Sequence, residues 1–442
     1  MDITSENVLK YVFDTFKSNY LNCDFIEINF GTSNNFPISI KNTSGIFFQN
    51  KNDWDDSKTV WKYFFDRKIP LLFSESDREE IFTITENKVV INYDIISSAF
   101  YFLTCWQEYV SEETDRYGRY QFENSLQKKL EITKIPVVNY YFEILKQAIE
   151  HSYKTKLIRK MLPENARFAV CLTHDIDSCN SGWKEDVYWA LRNGKLKNVF
   201  QILLNKIKGK DTWFTFEKIL QTEKDFNATS SFYFLAKKGR PKNITNSDYD
   251  LHSVQIQEVL TQIKNSGSEI GIHGSYKTHD DVESYGKDRS LFEKDVIGNR
   301  FHYLEFDIQK SQEVLQANGI KYDTTLGFAK SIGFRNSYCH PYYLYDFINA
   351  CRSEVLEIPL VLMDTTLRKY CKMNQKEVLD SVIPIIDELE RFSGVLTVLW
   401  HNTSFSDNKY RGWGKIYSDL LTHLLNKNAW LTNASNIYLW YK

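Results

Sequence analysis

The 442-residue chain lacks any pattern of paired cysteines. Its seven cysteines, at 23, 105, 171, 179, 339, 351 and 371, include no CxxC pair. An odd number scattered over so long a chain does not make a disulfide framework, and a reducing compartment is expected. No apolar run is long enough to cross a bilayer. The opening stretch, "MDITSENVLKYVFD", lacks the basic segment and apolar segment of a signal peptide, so the expected location is cytoplasmic. There is no excess of either charge: 55 Lys and Arg stand against 57 Asp and Glu, a net charge of −2. That balance gives no electrostatic case for nucleic acid or for an anionic membrane, and a neutral substrate is expected. Internal repeats and low-complexity tracts are also missing.

What is present is core-forming material. Hydrophobic residues make up 42% and aromatics 15% of the chain, enough for packed cores and too long a chain for one. Residues 1–163 read as an α+β unit: "DFIEINF" and "KVVINY" alternate as half-buried strands, and "IISSAFYFLTCWQEYV" and the stretch from 137 to 162 read as helices. The boundary is expected at Pro163, Glu164 and Asn165. From 166 to 442 strands alternate with helices, the pattern of parallel βα units. The strands are "RFAVCLT", "SSFYFL", "EIGIH", "KYDTTLG", "VLEIPLV" and "GVLTVLW". The helices fall around 214–226, 252–265, 303–317, 375–391 and 415–426. About six such units favour a barrel over an open sheet. Residues 181–211, rich in Lys, Asn and Trp, are expected to form a helical excursion near the strand ends.

The polar residues fall where these strands end. "CLTHDIDSCN" places Asp175 and Asp177 one residue apart after an apolar run, with His174 beside them. Two carboxylates so close destabilise each other unless protons, hydrogen bonds or a cation compensate. A helix N-cap with an acidic neighbour is the structural alternative. His273 ends "EIGIH", and an Asp and a His at the ends of two parallel strands begin an O,N site for Zn²⁺ or a similar ion. One carboxylate would bind the metal while the other takes a proton from water. His401, in "LWHN", reads either as a core histidine packed on Trp400 or as a general acid. Arg300, at an expected helix start, reads as a solvated arginine or as the partner of the base carboxylate. "GFAKSIGFRNSYCHPYY" mixes glycine and aromatic residues with Arg335 and His340, which suits a sugar-contacting loop as well as an ordinary aromatic one.

"THDID", "EIGIHGSY", "NRFHYL", "YDTTLGFAKSIGFRNSYCHPYYLYD" and "LWHN" follow one another in the order of the polysaccharide deacetylase family, the NodB-homology group of carbohydrate esterases, which residues 166–442 resemble. "IPLLF", "ISSAFYFLTCWQEY" and "DRYGRYQF", within 69–122, are similar to the accessory domain of bacterial members. The resemblance implies a distorted (β/α) barrel of about seven strands and metal-dependent hydrolysis of an N- or O-acetyl group on a carbohydrate or glycan precursor, as in surface polysaccharide assembly. It implies Asp175 as catalytic base, Arg300 as the arginine that steadies it, His401 as general acid, and Asp177 and His273 as metal ligands. The metal implied is zinc, with cobalt or nickel as alternatives. Tyr276, Asp323, Arg335, His340 and Trp400 are expected to contact the carbohydrate. The second motif departs from the family, with Lys277 where a second ligand histidine stands. An ammonium group has no lone pair to offer, so the third ligand is expected from His279, with His340 the other candidate. Two other readings go with that departure: a carbohydrate-binding relative without catalysis, and an amide hydrolase for a small non-sugar amide.

Overall fold

The computed structural model describes residues 3–31, 36–74, 77–86, 88–239 and 246–442. The chain packs as two compact units, Met1–Met161 with Phe334–Glu354, and Leu162–Gly333 with Val355–Lys442. Phe334–Glu354, expected with the barrel, thus packs with the N-terminal unit. Its polar groups find partners there: Arg335 Nε donates to Glu108 Oε1 at 2.8 Å, and Asn139 Oδ1 accepts the Cys339 N–H.

The first unit carries a mixed sheet in the order Asn29–Phe30, Ile38–Ile40, Lys88–Ile91, Phe82–Thr85, with only the last pair antiparallel. The helix Ile95–Leu103 is buried along its whole length, as its nearly all-apolar sequence requires. Its start is fixed by Asp94, whose side chain accepts the Ser97 N–H.

The second unit is built on parallel strands β1 (Phe168–Ile176), β2 (Ser231–Leu235), β3 (Glu269–Gly274), β4 (Gly298–Phe301), β5 (Tyr322–Asp323), β6 (Cys351–Glu357, of which only the part from Val355 belongs to this unit), β7 (Leu360–Met363), β8 (Val395–Leu399) and β9 (Ala429–Thr432). Neighbours run β6-β5-β4-β3-β2-β1-β8-β7, with β9 also on β1. The Leu360 N–H donates to Leu326 O, just beyond β5, so the edge at β7 meets the strand path again. The result is the irregular barrel expected from the alternation of strands and helices. β1 is buried at all nine positions, as a parallel strand covered on both faces must be. Its length lets β9 pair with Phe168–Cys171 and β2 with Thr173–Ile176 along it.

Two expectations change. Arg300 does not start a helix; it lies in β4, pairs in register with His273 of β3, and is fully buried. β4 is short and half polar, "GNRF", so no alternation of apolar residues announced it. "VLEIPLV" is the end of one strand and the start of another, interrupted at Ile358 and Pro359, because proline cannot donate to a ladder. Among the described residues no helix is long and apolar enough to cross a membrane.

Candidate functional site

In a parallel barrel every strand delivers its last residues to the same end. β1 brings Asp175 and, one residue past its end, Asp177. β3 brings His273, β4 brings Arg300 with His302 behind it, β7 is followed by Asp364, and β8 by His401.

Asp175 is 3% exposed, and its Oδ1 accepts from Arg300 Nη1 at 3.1 Å. The guanidinium also donates to Thr173 Oγ1 (2.6 Å) and Thr324 O (3.0 Å) and lies 4.9 Å from the Tyr233 ring centroid. Arg300 is thereby locked on three strands, and Asp175 has a fixed counter-charge. His174 faces elsewhere: its ring nitrogens meet Trp400 O at 2.6 Å and Glu223 Oε1 at 2.8 Å, tying the acid-bearing strand to the turn that carries His401.

Asp177 is the centre of the imidazoles. Its Oδ1 lies 3.3 Å from His273 Nε2 and 3.6 Å from His302 Nε2, and its Oδ2 lies 3.9 Å from His401 Nε2. Burial works against its charge, yet His302, His273 and His401 together hold the carboxyl below the usual carboxylate range. His273 Nδ1 sits 2.7 Å from Arg300 O. A carbonyl only accepts, so Nδ1 carries a proton and Nε2 is the nitrogen turned toward Asp177. His302 stacks on Tyr303 at 3.9 Å, and burial pushes its pKa down to about 4, which leaves it neutral near pH 7.

Ligand atoms gathered at these distances could hold a cation. Asp177 Oδ1 is buried without a hydrogen-bond partner, and the three donor atoms of Asp177, His273 and His302 lie within 4.8 Å of one another. Ligand bonds of about 2.1 Å in a tetrahedral shell place donors about 3.4 Å apart. The separations at Asp177 Oδ1, 3.3 and 3.6 Å, bracket that value. One carboxylate and two imidazoles are a donor set suited to zinc and its neighbours.

The third imidazole at Asp177 is therefore His302, and neither candidate named from sequence belongs to this cluster. His279 turns its Nδ1 toward Glu305 Oε2 at 3.7 Å. His340 belongs to the N-terminal unit, with Nδ1 3.0 Å from Asn139 Nδ2. Lys277 is exposed, with a left-handed backbone (φ 60°) held by its N–H on Glu305 Oε2 at 2.8 Å. His302 lies one residue past the end of β4, in a turn that strand alternation does not reach, so no sequence pattern singled it out. Asp364 was also missed, although it ends an apolar run just as Asp175 does. It accepts from His401 Nδ1 at 2.7 Å and from the His401 N–H at 3.1 Å.

Of the expected sugar contacts, Tyr276 is half-buried and edge-on to Tyr303 at 6.0 Å. Asp323 is buried and spends its oxygens on Asn299 Nδ2 (2.6 Å) and Thr325 N (2.8 Å), which pins β4 to β5. Trp400 is fully buried against Trp413 and Tyr417. Arg335 is paired with Glu108 inside the N-terminal unit.

Residues 2–154 match the model of a family of unknown function, DUF7033. No curated protein matches the chain. Among solved structures, one from Mycobacterium smegmatis assigned as a polysaccharide deacetylase is 17% identical, covering 63% of this chain and 91% of its own, with a TM-score of 0.43. PuuE allantoinase, at 13% identity, covers 63% of this chain and 92% of its own with a TM-score of 0.41. A pseudoenzyme of the CE4 family from Bacillus anthracis, at 11% identity, covers 61% of this chain and 65% of its own with a TM-score of 0.30.

Proposed function

We propose that the second unit is a metal-dependent deacetylase that removes an acetyl group, N- or O-linked, from a carbohydrate or glycan precursor, and that the first unit is its accessory domain. The observation that carries this reading is the orphaned Asp177 Oδ1 facing two imidazole nitrogens at ligand spacing, with a second, arginine-paired carboxylate beside it. Asp177, His273 and His302 would hold the ion. A divalent ion there, zinc first and cobalt or nickel next, would supply Lewis-acid polarisation of the acetyl carbonyl. Asp175 is placed to take the proton of the attacking water, its charge compensated by Arg300 on one oxygen while the other faces the cluster. His401 keeps its Nδ1 proton on Asp364 and turns Nε2 toward the cluster, where it can protonate the departing amine or alkoxide. A cytoplasmic precursor of a surface glycan fits the sequence best.

The test is acetate release from N-acetylated and O-acetylated sugars, with zinc, cobalt or nickel added back to chelator-stripped protein. Release that depends on the ion supports the proposal. Stoichiometric metal with no release from any sugar points to a binding protein, and release only from small amides points to a different hydrolase.

The pH profile carries a second test. Burial opposes charge on His401, but the Asp364 carboxylate outweighs it, with Asp177 and Asp175 adding, and the ring is pushed up to about 9. A raised histidine is protonated below its pKa and loses its proton as pH rises, so turnover should fall through about pH 9. Asp364→Asn removes the largest raising influence and leaves burial acting downward. With Asp177 and Asp175 still raising the ring, the alkaline limb should then shift to lower pH. A limb that stays in place would remove His401 from the proton-donor role.

A further inference from the structure

The helical excursion expected between 181 and 211 is a hairpin, α1 (Gly182–Arg192) and α2 (Leu196–Ile207). We propose that this hairpin docks the protein on an anionic lipid bilayer. An amphipathic helix of a water-soluble protein ordinarily turns its apolar stripe to the core. On α2 the stripe is turned out. Leu196, Phe200, Leu203, Leu204 and Ile207 recur at helical spacing along one face, and they are 68, 67, 39, 38 and 83% exposed, while Ile202 on the opposite side is 2% exposed. On α1, Tyr188 and Leu191 are 60 and 53% exposed.

The charge around the stripe names the occupant. Residues 193–210 hold five lysines and no Asp or Glu, in a chain whose net charge is −2; Lys206 pairs with Asp211, which leaves Lys195, Lys197, Lys208 and Lys210 around the stripe. A second copy of the hairpin would bring lysines against lysines. A surface of negatively charged headgroups over hydrocarbon accepts both the stripe and its cationic border, with lysine stems reaching up to the headgroups. Aromatic rings at the same border, Trp189 under Lys195 Nζ at 4.4 Å and Trp183 near Lys184 Nζ at 5.6 Å, suit the headgroup level.

The hairpin is fastened to the strand ends that carry the site. Asp186 of α1 accepts from Ser406 Oγ (3.1 Å), Asn408 Nδ2 (3.0 Å) and Lys409 N (3.2 Å), in the segment that follows His401. Lys206 Nζ of α2 reaches Asn180 O, three residues past Asp177, at 3.3 Å. Docking therefore sets the site's end of the barrel at the bilayer. The docking does not depend on the deacetylase reading; if that reading holds, the glycans in reach are those carried at a lipid surface.

The test uses the full chain and sedimentation with vesicles of phosphatidylcholine alone or with about a third phosphatidylglycerol. Wild type should bind the anionic vesicles at least about tenfold more tightly than the neutral ones and release them at high salt. The triple variant Leu196→Ser, Phe200→Ser, Ile207→Ser and the triple variant Lys195→Glu, Lys197→Glu, Lys208→Glu should each lose at least about tenfold of that binding. Both change exposed side chains, so circular dichroism should be unchanged. Failure of wild type to bind anionic vesicles overturns the proposal, as does binding by the apolar variant equal to wild type. So does a wild-type dimer, with no vesicle binding, that the apolar variant dissolves. None of these readouts passes through acetate release.

Discussion

Asp175→Asn should keep its metal and lose about a thousandfold or more of kcat, within the range that a positioned general base supplies. The substitution is close to isosteric. Its amide oxygen can still accept from Arg300 Nη1, which now meets Asp175 Oδ1 at 3.1 Å, so the guanidinium stays in its place between Thr173, Thr324 and the Tyr233 ring. The amide cannot hold the proton that a carboxylate takes from water. Asp175 is not among the three donors gathered at Asp177 Oδ1, so zinc content by elemental analysis should match wild type. KM should change little, because the loss falls on the transition state. Turnover within about tenfold of wild type, with full metal content, would take the base role away from Asp175.

The second large effect is on the metal itself. His302→Ala should weaken zinc binding by at least about a hundredfold, more than the loss expected from removing a residue that only orients a ligand. His279→Ala should leave it within about threefold, since His279 turns toward Glu305 and is not among the three grouped ligands. Competition with a zinc chelator measures both. Because His302 is buried and stacked on Tyr303, His302→Gln serves as a control that keeps most of the volume but lacks the imidazole. Thermal unfolding of the stripped proteins separates a packing defect from a lost ligand. Should His279→Ala strip the metal while His302→Ala retains it, the assignment of the third ligand reverses.

With His302 as the proposed third ligand, Lys277 is compatible with a metal site. Here the second imidazole comes from the neighbouring strand, whose register with β3 sets Arg300 beside His273 and His302 two residues further on. Lys277 is then free to stand in an exposed left-handed turn.

Chemistry that depends on residue type and on periodicity was legible without coordinates. The apolar runs of β1, β2, β3 and β8 announced buried parallel strands, and parallel strands share one end, so Asp175, Asp177, His273 and His401 could be placed together from sequence alone. The lysines between 195 and 210 could be read as well, but the direction of the apolar residues among them could not. A balance of −2 argued against an anionic surface, while the fold turns the apolar stripe beside those lysines outward.

What required the fold were choices between residues of the same type. His279, His302 and His340 are equal as symbols. Which of them faces Asp177 is set by strand register and by which compact unit each segment joins, and neither depends on local sequence. Asp364 and Asp323 likewise both follow or end short strands, yet one orients His401 and the other pins β4 to β5. Local pattern determines that a side chain is polar at a strand end; the hydrogen bonds of neighbouring strands, far away in the chain, determine what it meets there.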